Sequence, residues 1–502
     1  MGAEVSRREF TREDRRRFRA QVTRGTEAIA RMLADGAFVD TDGAPAPLLG
    51  MEIELNLVDR AMNPAMANDT VLQAIADPDY QTELGQFNVE INVAPRPFAD
   101  DEMLSLESAL RASLNRAEAE AAATDNRLAM IGMLPTVRLE HLTPQWISAD
   151  PRYELLNDQI VAARGEDIEL DIDGVPLGDA RIGERLSATT ESILPEAACT
   201  SVQLHLRVAP EDFADHWNAA QAIAGIQVAV AGNSPFFAGR ALWHETRIPV
   251  FAQATDTRPL ELKNQGVRPR VWFGERWITT IFDLFEENTR YFPALLPVCE
   301  DEDPLEALDA GRVPALSELN LHNGTVYRWN RPIYDVVDGA AHVRIENRVL
   351  PAGPSVIDTM ADAAFFYGLM RGLVDADRPL WSQMSFDAAT ENLTAGARDG
   401  LEAQIFWPTV GWVRPDELTL RRLLPAADRG LAAYGVGEKA RRRYLGIIEG
   451  RCQSRQTGSV WQREAVVARE KAGESRETAL SGMLRDYLER MHDGQPVHTW
   501  DL

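Results

Sequence analysis

Gly50-Met51-Glu52-Ile53-Glu54-Leu55 sets two carboxylates one residue apart inside an apolar stretch. In an extended segment side chains alternate between faces, so Glu52 and Glu54 share one face while Met51, Ile53, Leu55 and Leu57 take the other. Same-face positions repeat at roughly 6.5 to 7 Å, where two ionised carboxylates repel by about 2.4 kcal/mol at an effective dielectric of about 20. Solvent, an arginine or a metal ion must relieve that repulsion.

Three further segments alternate in the same way. From Gln86 to Val93, Phe87, Val89, Ile91 and Val93 form an apolar face and Gln86, Asn88, Glu90 and Asn92 a polar one. From Ser201 to Val208, Gln203, His205 and Arg207 oppose Val202, Leu204, Leu206 and Val208; from His342 to Val349, His342, Arg344, Glu346 and Arg348 oppose Val343, Ile345 and Val349. Strands with an apolar back and a polar front predict an α+β protein, with an antiparallel sheet whose front lines a functional cleft and whose back packs on helices. A half-exposed sheet also yields polar faces, and the Glu346/Arg344/Arg348 face also reads as an ion-pair ladder.

Composition narrows the function. With 502 residues, 45% of them hydrophobic, the chain can bury a large core. A net charge of −25 argues against sequence-independent binding of nucleic acid or anionic lipid, and Lys439-Ala440-Arg441-Arg442-Arg443 reads as a solvated helix face. No apolar run is long enough to span a membrane, and the N-terminus, with Arg7-Arg8-Glu9-Phe10 and Arg15-Arg16-Arg17, lacks the apolar core of a signal peptide, so a cytoplasmic location is expected. Cys199, Cys299 and Cys452 form no CxxC, which leaves neither a disulfide framework nor a structural zinc site. Lysine occurs only at 263, 439 and 471, never in GxxxxGK[ST], so a Walker-type nucleotide site is excluded. Phosphate chemistry here must rest on arginine, backbone amides and metal.

Helical periodicity is expected from 10 to about 35, from Asp101 to about Ala123, over 211–231, from Ser355 to about Leu373, and from Leu418 through Arg490, with Gly435, Gly437, Gly450 and Gly458 as punctuation. Asp40 to Pro47 is turn-rich, Pro332 reads as a break after Tyr327-Arg328-Trp329-Asn330-Arg331, and Arg451 to Gly458 reads as a surface connector. The expected organisation is a helical segment over 1–47, a catalytic domain over 48–375 and a mainly helical C-terminal extension over 376–502.

GMEIEL at 50–55, ELGQFNVEIN at 83–92, VQLHL at 202–206, NSPFFAGR at 233–240 and HVRIENRVLPAG at 342–353 together resemble the glutamate-cysteine ligase family, in particular its second type of carboxylate-amine ligases. The resemblance implies a glutamine-synthetase-like fold, a curved antiparallel sheet lining an active-site funnel. It makes Glu52, Glu54, Glu83, Glu90, His205 and Glu346 the metal set for Mg²⁺ or Mn²⁺, hard cations suited to oxygen ligands. Glu83, seven residues before Glu90, then belongs on the turn entering its strand. The resemblance also gives Arg348, with Arg344, the transferring phosphoryl group, a task that suits the planar guanidinium fork. Arg331 falls in the region that holds the substrate glutamate, although a structural salt bridge explains it equally well, and Asn233 and Arg240 frame a loop suited to an anion.

The implied reaction uses ATP to phosphorylate the γ-carboxylate of glutamate, after which an amine attacks the acyl phosphate. Cysteine is the favoured acceptor, from the family name and from Ala198-Cys199-Thr200-Ser201-Val202-Gln203, which resembles the plant-type branch; glutathione biosynthesis follows. A homo-oligomer is compatible with the resemblance. The other readings are a ligase for a different amine, a two-carboxylate glycoside hydrolase and a non-catalytic metal-dependent binding or regulatory protein. No residue identifies itself as the general base.

Overall fold

Met51, Ile53, Leu55 and Leu57 all turn into the core, none more than 1% exposed, and the strand that carries them organises the molecule. The computed structural model describes residues 10–38 and 48–502, so Asp40 to Pro47 and the Arg7-Arg8-Glu9 segment lie outside the described residues. A seven-stranded, strongly curled sheet comprises β1 (Leu48–Asp59), β2 (Tyr80–Thr82), β3 (Asn88–Pro97), β4 (Asn126–Ala129), β5 (Val202–Val208), β6 (Asn330–Val337) and β7 (Ala340–Asn347). The order is β6-β7-β5-β1-β3-β2, with β4 on the far half of β1, and every pairing is antiparallel.

Two local readings change. The strand expected from Gln86 begins at Asn88, because Gln86 is drawn into a loop contact: its amide nitrogen and side chain donate to Trp146 and to Gln145 and Ile147 carbonyls. Pro332 does not break the chain. It sits in β6, the outer strand of the sheet, where a residue without an N–H is tolerated. β6 turns into β7 through Asp338-Gly339, both at positive φ (52° and 77°), the two-residue hairpin for which Asp-Gly is suited.

Helices back the sheet. α1 (Arg12–Asp35) is capped by Thr11 and ends at Gly36 in the left-handed region, burying Phe18, Val22, Ala28, Ile29 and Met32. α2 (Glu102–Ala123) buries Met103, Leu106, Leu110 and Leu114. α3 (Phe213–Ala231) and α4 (Val356–Val374) are buried on nearly all sides, as their Ala-, Val-, Met- and Phe-rich composition requires. From α4, the Tyr367 hydroxyl donates to the backbone carbonyl of His205 at 3.0 Å, fastening the helix to the back of β5.

Beyond residue 375 lie α5 (Phe386–Asp399), α6 (Leu424–Ala433), α7 (Glu438–Ser454), α8 (Gly458–Lys471) and α9 (Arg476–Asp493). Their side chains enter one apolar core that runs from Phe18 to Trp500. α6 crosses α4 closely enough that a Cβ on Gly430 would meet the Gly368 carbonyl oxygen at 2.0 Å. Gly450 does not punctuate; it lies within α7, where a Cβ would meet the His498 ring at 2.4 Å. The Arg451–Gly458 stretch is a surface connector only in its middle, where Gln453 and Ser454 are exposed at the turn from α7 to α8, and its ends are buried. Arg451 is 1% exposed and its guanidinium donates to Asp358 Oδ1 (2.9 Å) and Asp362 Oδ1 (2.6 Å) of α4. No helix among the described residues is long and apolar enough to cross a membrane.

Candidate active site

The register of the sheet brings distant charges into rows. Arg331 lies opposite Glu346, Glu346 opposite His205, and His205 opposite Gly50 of β1. One step along, Gln203, Glu52 and Asn92 are neighbours, and beyond them Glu54 pairs with Glu90 and Glu90 with Gln81. Strands about 4.8 Å apart let same-face side chains of adjacent strands touch.

The six residues of the expected metal set fall into two triads: Glu52, His205 and Glu346, and Glu54, Glu83 and Glu90. Within each, one ligand atom per residue lies within 4.8 Å of the others. Glu83 sits on the connection between β2 and β3, and its Oε2 accepts from the Leu84 amide at 3.0 Å. Glu54 accepts from the Ser201 amide (2.6 Å) and Gln203 Nε2 (2.8 Å), and Glu90 from Asn92 Nδ2 (3.0 Å).

The triads differ in electrostatic balance. In the all-carboxylate triad no cation touches a carboxylate among the described residues. Burial, reinforced by Glu54, raises the carboxyl of Glu83 above its usual range; burial, then Glu83, Glu52 and Glu54, raises that of Glu90 further. Burial also raises Glu54, against the pull of Arg348. Buried together and facing one another, these carboxyls resist ionisation for want of a cation. In the other triad burial also opposes ionisation, but Arg331 and Arg348 overcome it and hold the Glu346 carboxyl far below the usual range. The His205 ring does the same, more weakly, for Glu52.

Arg331 closes its fork on Glu346, donating from Nε to Oε2 and from Nη2 to Oε1 at 2.8 Å. It thus forms the structural salt bridge that was the other reading of this residue. Arg348 Nη1 donates to Gln203 Oε1 (2.6 Å) and Glu346 Oε1 (3.3 Å), so the path Glu346–Arg348–Gln203–Glu54 joins the two triads. Arg344 sits behind His205: its Nη1 donates to Asp335 (2.8 Å) and its Nε to His205 Nδ1 (3.2 Å). The geometry thus places Arg344 as an orienting group.

Since the guanidinium can only donate, Nδ1 accepts, and the hydrogen-bond network assigns the proton of a neutral His205 to Nε2. That Nε2 lies 3.1 Å from Glu52 Oε1 but off the line of a well-formed bond, leaving it buried without a partner.

Asn233 and Arg240 do not join the site. Asn233 is 0% exposed, donates to Ala352 O (2.7 Å) and the Tyr487 hydroxyl (2.8 Å), and accepts from Gln462 (2.8 Å). Its neighbours are spent internally as well: Ser234 and Arg247 both donate to the buried Glu245. Arg240 is exposed on the hairpin Phe236–Ala241, and no contact among the described residues links it to either triad. Two residues enter the site without having been singled out in the sequence. Gln203 bridges Glu54 and Arg348, and its place on the polar face beside His205 was the available signal. Glu196, half-buried on the turn before β5, has its carboxyl raised to about 8 by burial, then by Glu83 and Glu54. No periodicity marks a turn residue.

Donor chemistry fits a hard divalent cation. The three carboxylates of Glu54, Glu83 and Glu90 supply oxygen ligands and excess negative charge. Glu52, Glu346 and the unpartnered Nε2 of His205 form a second donor group, provided Arg344 gives up Nδ1 so that the proton can move there.

Glutamate-cysteine ligase family 2 (GCS2) matches residues 48–481. A glutamate-cysteine ligase from Francisella tularensis, solved in complex with AMP, is similar in structure, with a TM-score of 0.53 and 13% identity over 89% of each chain. A bifunctional glutathione synthetase from Pasteurella multocida has a TM-score of 0.50 and 10% identity over 89% of this chain and 53% of its own. No curated protein matches in sequence.

Proposed function

Because the chain belongs to glutamate-cysteine ligase family 2, we propose that it is an ATP-dependent carboxylate-amine ligase of glutamine-synthetase-like fold. On this reading it joins the γ-carboxylate of glutamate to an amine, with cysteine the acceptor that the family name carries. The observation that carries it is the pair of triads on one sheet face, joined through Arg348 and Gln203. The structure of the Francisella tularensis ligase with AMP supports an adenine nucleotide as the co-substrate.

A carboxylate is a poor electrophile and its oxyanion a poor leaving group, and phosphorylation answers both. The γ-carboxylate oxygen attacks the terminal phosphorus of ATP and ADP leaves. The amine nitrogen then attacks the acyl carbon, phosphate departs and the nitrogen sheds a proton. Glu54, Glu83 and Glu90 would hold one Mg²⁺ or Mn²⁺, and Glu52, His205 and Glu346 a second. Bound there, such ions supply charge neutralisation to phosphate oxygens. Arg348 supplies the protein's own positive charge at the junction, already anchored by Gln203 and Glu346. Arg331 pairs with Glu346, and Arg344 would have to release Nδ1 for the Nε2 of His205 to serve as a ligand.

The test is ADP release with ATP, glutamate, Mg²⁺ and a panel of amines that includes cysteine. Release that depends on both glutamate and amine, and is abolished in Glu52→Gln, is expected. Activity on glycosides without ATP, or full activity in Glu52→Gln, overturns the reading.

A further inference from the structure

The polar face of the sheet continues past the triad of Glu52, His205 and Glu346. β5 sets Gln203, His205 and Arg207 on that face at every second position. Its pairing with β7 runs unbroken from Leu204 to Val208, so Arg207 lies opposite Arg344, one row beyond the His205–Glu346 pair. His342 follows Arg344 on the same face, across from Asp335. Two guanidinium groups and an imidazole thus gather with one carboxylate, and that carboxylate is taken: Asp335 accepts from Arg344 Nη1 at 2.8 Å. Burial, then Arg344, hold the His342 ring below its ordinary range, and Arg207 adds to them against the pull of Asp335.

Arg207 is the unanswered member of this group. Among the described residues its side chain forms no ion pair and no hydrogen bond, and its Nε is shut away from solvent without a partner. Buried donors ordinarily find an acceptor, and a charged one costs more to leave unmet. A guanidinium can only donate, so what it lacks is an acceptor, and beside a second arginine an anionic one is favoured. The extent of that anion follows from the strand. Four residues separate Gln203, the anchor of Arg348, from Arg207, about 13 Å along β5, with His205 and its triad in between. A lone carboxylate does not bridge such a span, whereas a chain of phosphates does. The opposite end of the face repels phosphate, because Glu54, Glu83 and Glu90 converge there and Glu196 lies within reach of their charge.

We propose that Arg207 binds the phosphates that the nucleotide keeps after transfer, so that ATP lies along β5 with its terminal phosphate at Arg348 and its nucleoside toward Arg207. The inference rests on the ligase reading and adds to it a nucleotide-binding residue and a direction.

Calorimetric titration of the full chain with ADP and Mg²⁺ reads this contact without turnover. Affinity should fall about ten-fold or more in Arg207→Met, from loss of charge-assisted hydrogen bonds. It should fall less in Arg207→Lys, which keeps the charge at that position but not the fork. Arg240→Met removes an equal charge from the exposed hairpin Phe236–Ala241 and should leave ADP affinity unchanged. In ADP-release assays Arg207→Met should raise the KM for ATP and not that for glutamate. Native affinity for ADP in both Arg207 variants, an equal loss in Arg240→Met, or a raised KM for glutamate in place of ATP overturns the assignment. ADP binding that depends on Arg207 while no amine supports ADP release overturns the ligase reading and leaves the nucleotide contact standing.

Discussion

Replacing Glu90 by Gln should stabilise the metal-free protein while removing its response to divalent cation. The triad's ligand atoms lie within 4.8 Å of one another. At that distance and an effective dielectric of about 20, each ionised pair repels by about 3.5 kcal/mol, or about 10 kcal/mol for three pairs. This repulsion adds to burial in raising the carboxyls of Glu83 and Glu90. The sign follows from linkage. A carboxyl raised in the folded state costs no stability below its unfolded pKa, and stability falls as pH climbs from there toward the folded value, because the unfolded chain can ionise and the folded one resists. Glu90→Gln removes that loss and two of the three repulsive pairs. The gain is expected at roughly 2 to 4 kcal/mol at about pH 8, vanishing at about pH 4, and below the bound of about 7 kcal/mol set by two fully ionised pairs. For a chain of this length it amounts to a few degrees in Tm. Thermal unfolding in EDTA and with Mg²⁺ or Mn²⁺, at about pH 5 and about pH 8, checks it. A variant that melts below the native protein in EDTA at the higher pH, and keeps its full metal-induced shift, refutes the reasoning.

Three other substitutions probe the surrounding charges. Arg331→Ala leaves Glu346 buried without its fork and should cost about 3 to 5 kcal/mol. Because the folded Glu346 carboxyl is depressed, the pair stabilises above the ordinary carboxylate range and is lost as pH falls through the folded value. Acid unfolding of this variant, followed by circular dichroism, should therefore begin at higher pH. Arg348→Lys keeps the charge but not the planar fork that reaches Gln203 and Glu346, and ADP release should fall by about 100-fold; an unchanged rate assigns Arg348 a structural role. Arg451→Met strands Asp358 and Asp362 in the core and should lower the urea midpoint by the equivalent of about 3 to 5 kcal/mol.

The strand character of β1, β3, β5 and β7 was legible because a two-residue period is a local property of the chain. The same period placed Glu52, Glu54, Glu90, His205 and Glu346 on polar faces, and the spacing to Glu90 set Glu83 on a turn. The hairpin strand β6 was missed, since Pro332 argued for a break and only the outermost position in the sheet makes it harmless. Asp338-Gly339 was the signal that could have recovered it. Asn233 and Arg451 misled for a related reason: both carry polar groups that on sequence grounds belong near solvent, yet both are satisfied in the interior by partners far along the chain.

Local periodicity along the chain specifies a set of polar-faced strands with too many carboxylates for packing alone to explain. Which carboxylates meet was decided by tertiary structure. Glu54 takes its hydrogen bonds from Ser201 and Gln203, 147 and 149 residues away, and Arg344 reaches His205 across 139. Those contacts depend on strand order and register, which place Glu52 with His205 and Glu346 while its neighbour Glu54 goes to Glu83 and Glu90. The separation matters physically because it leaves one triad neutralised by arginine and the other in need of a cation. No local pattern encodes that difference; it arises from which strands lie side by side.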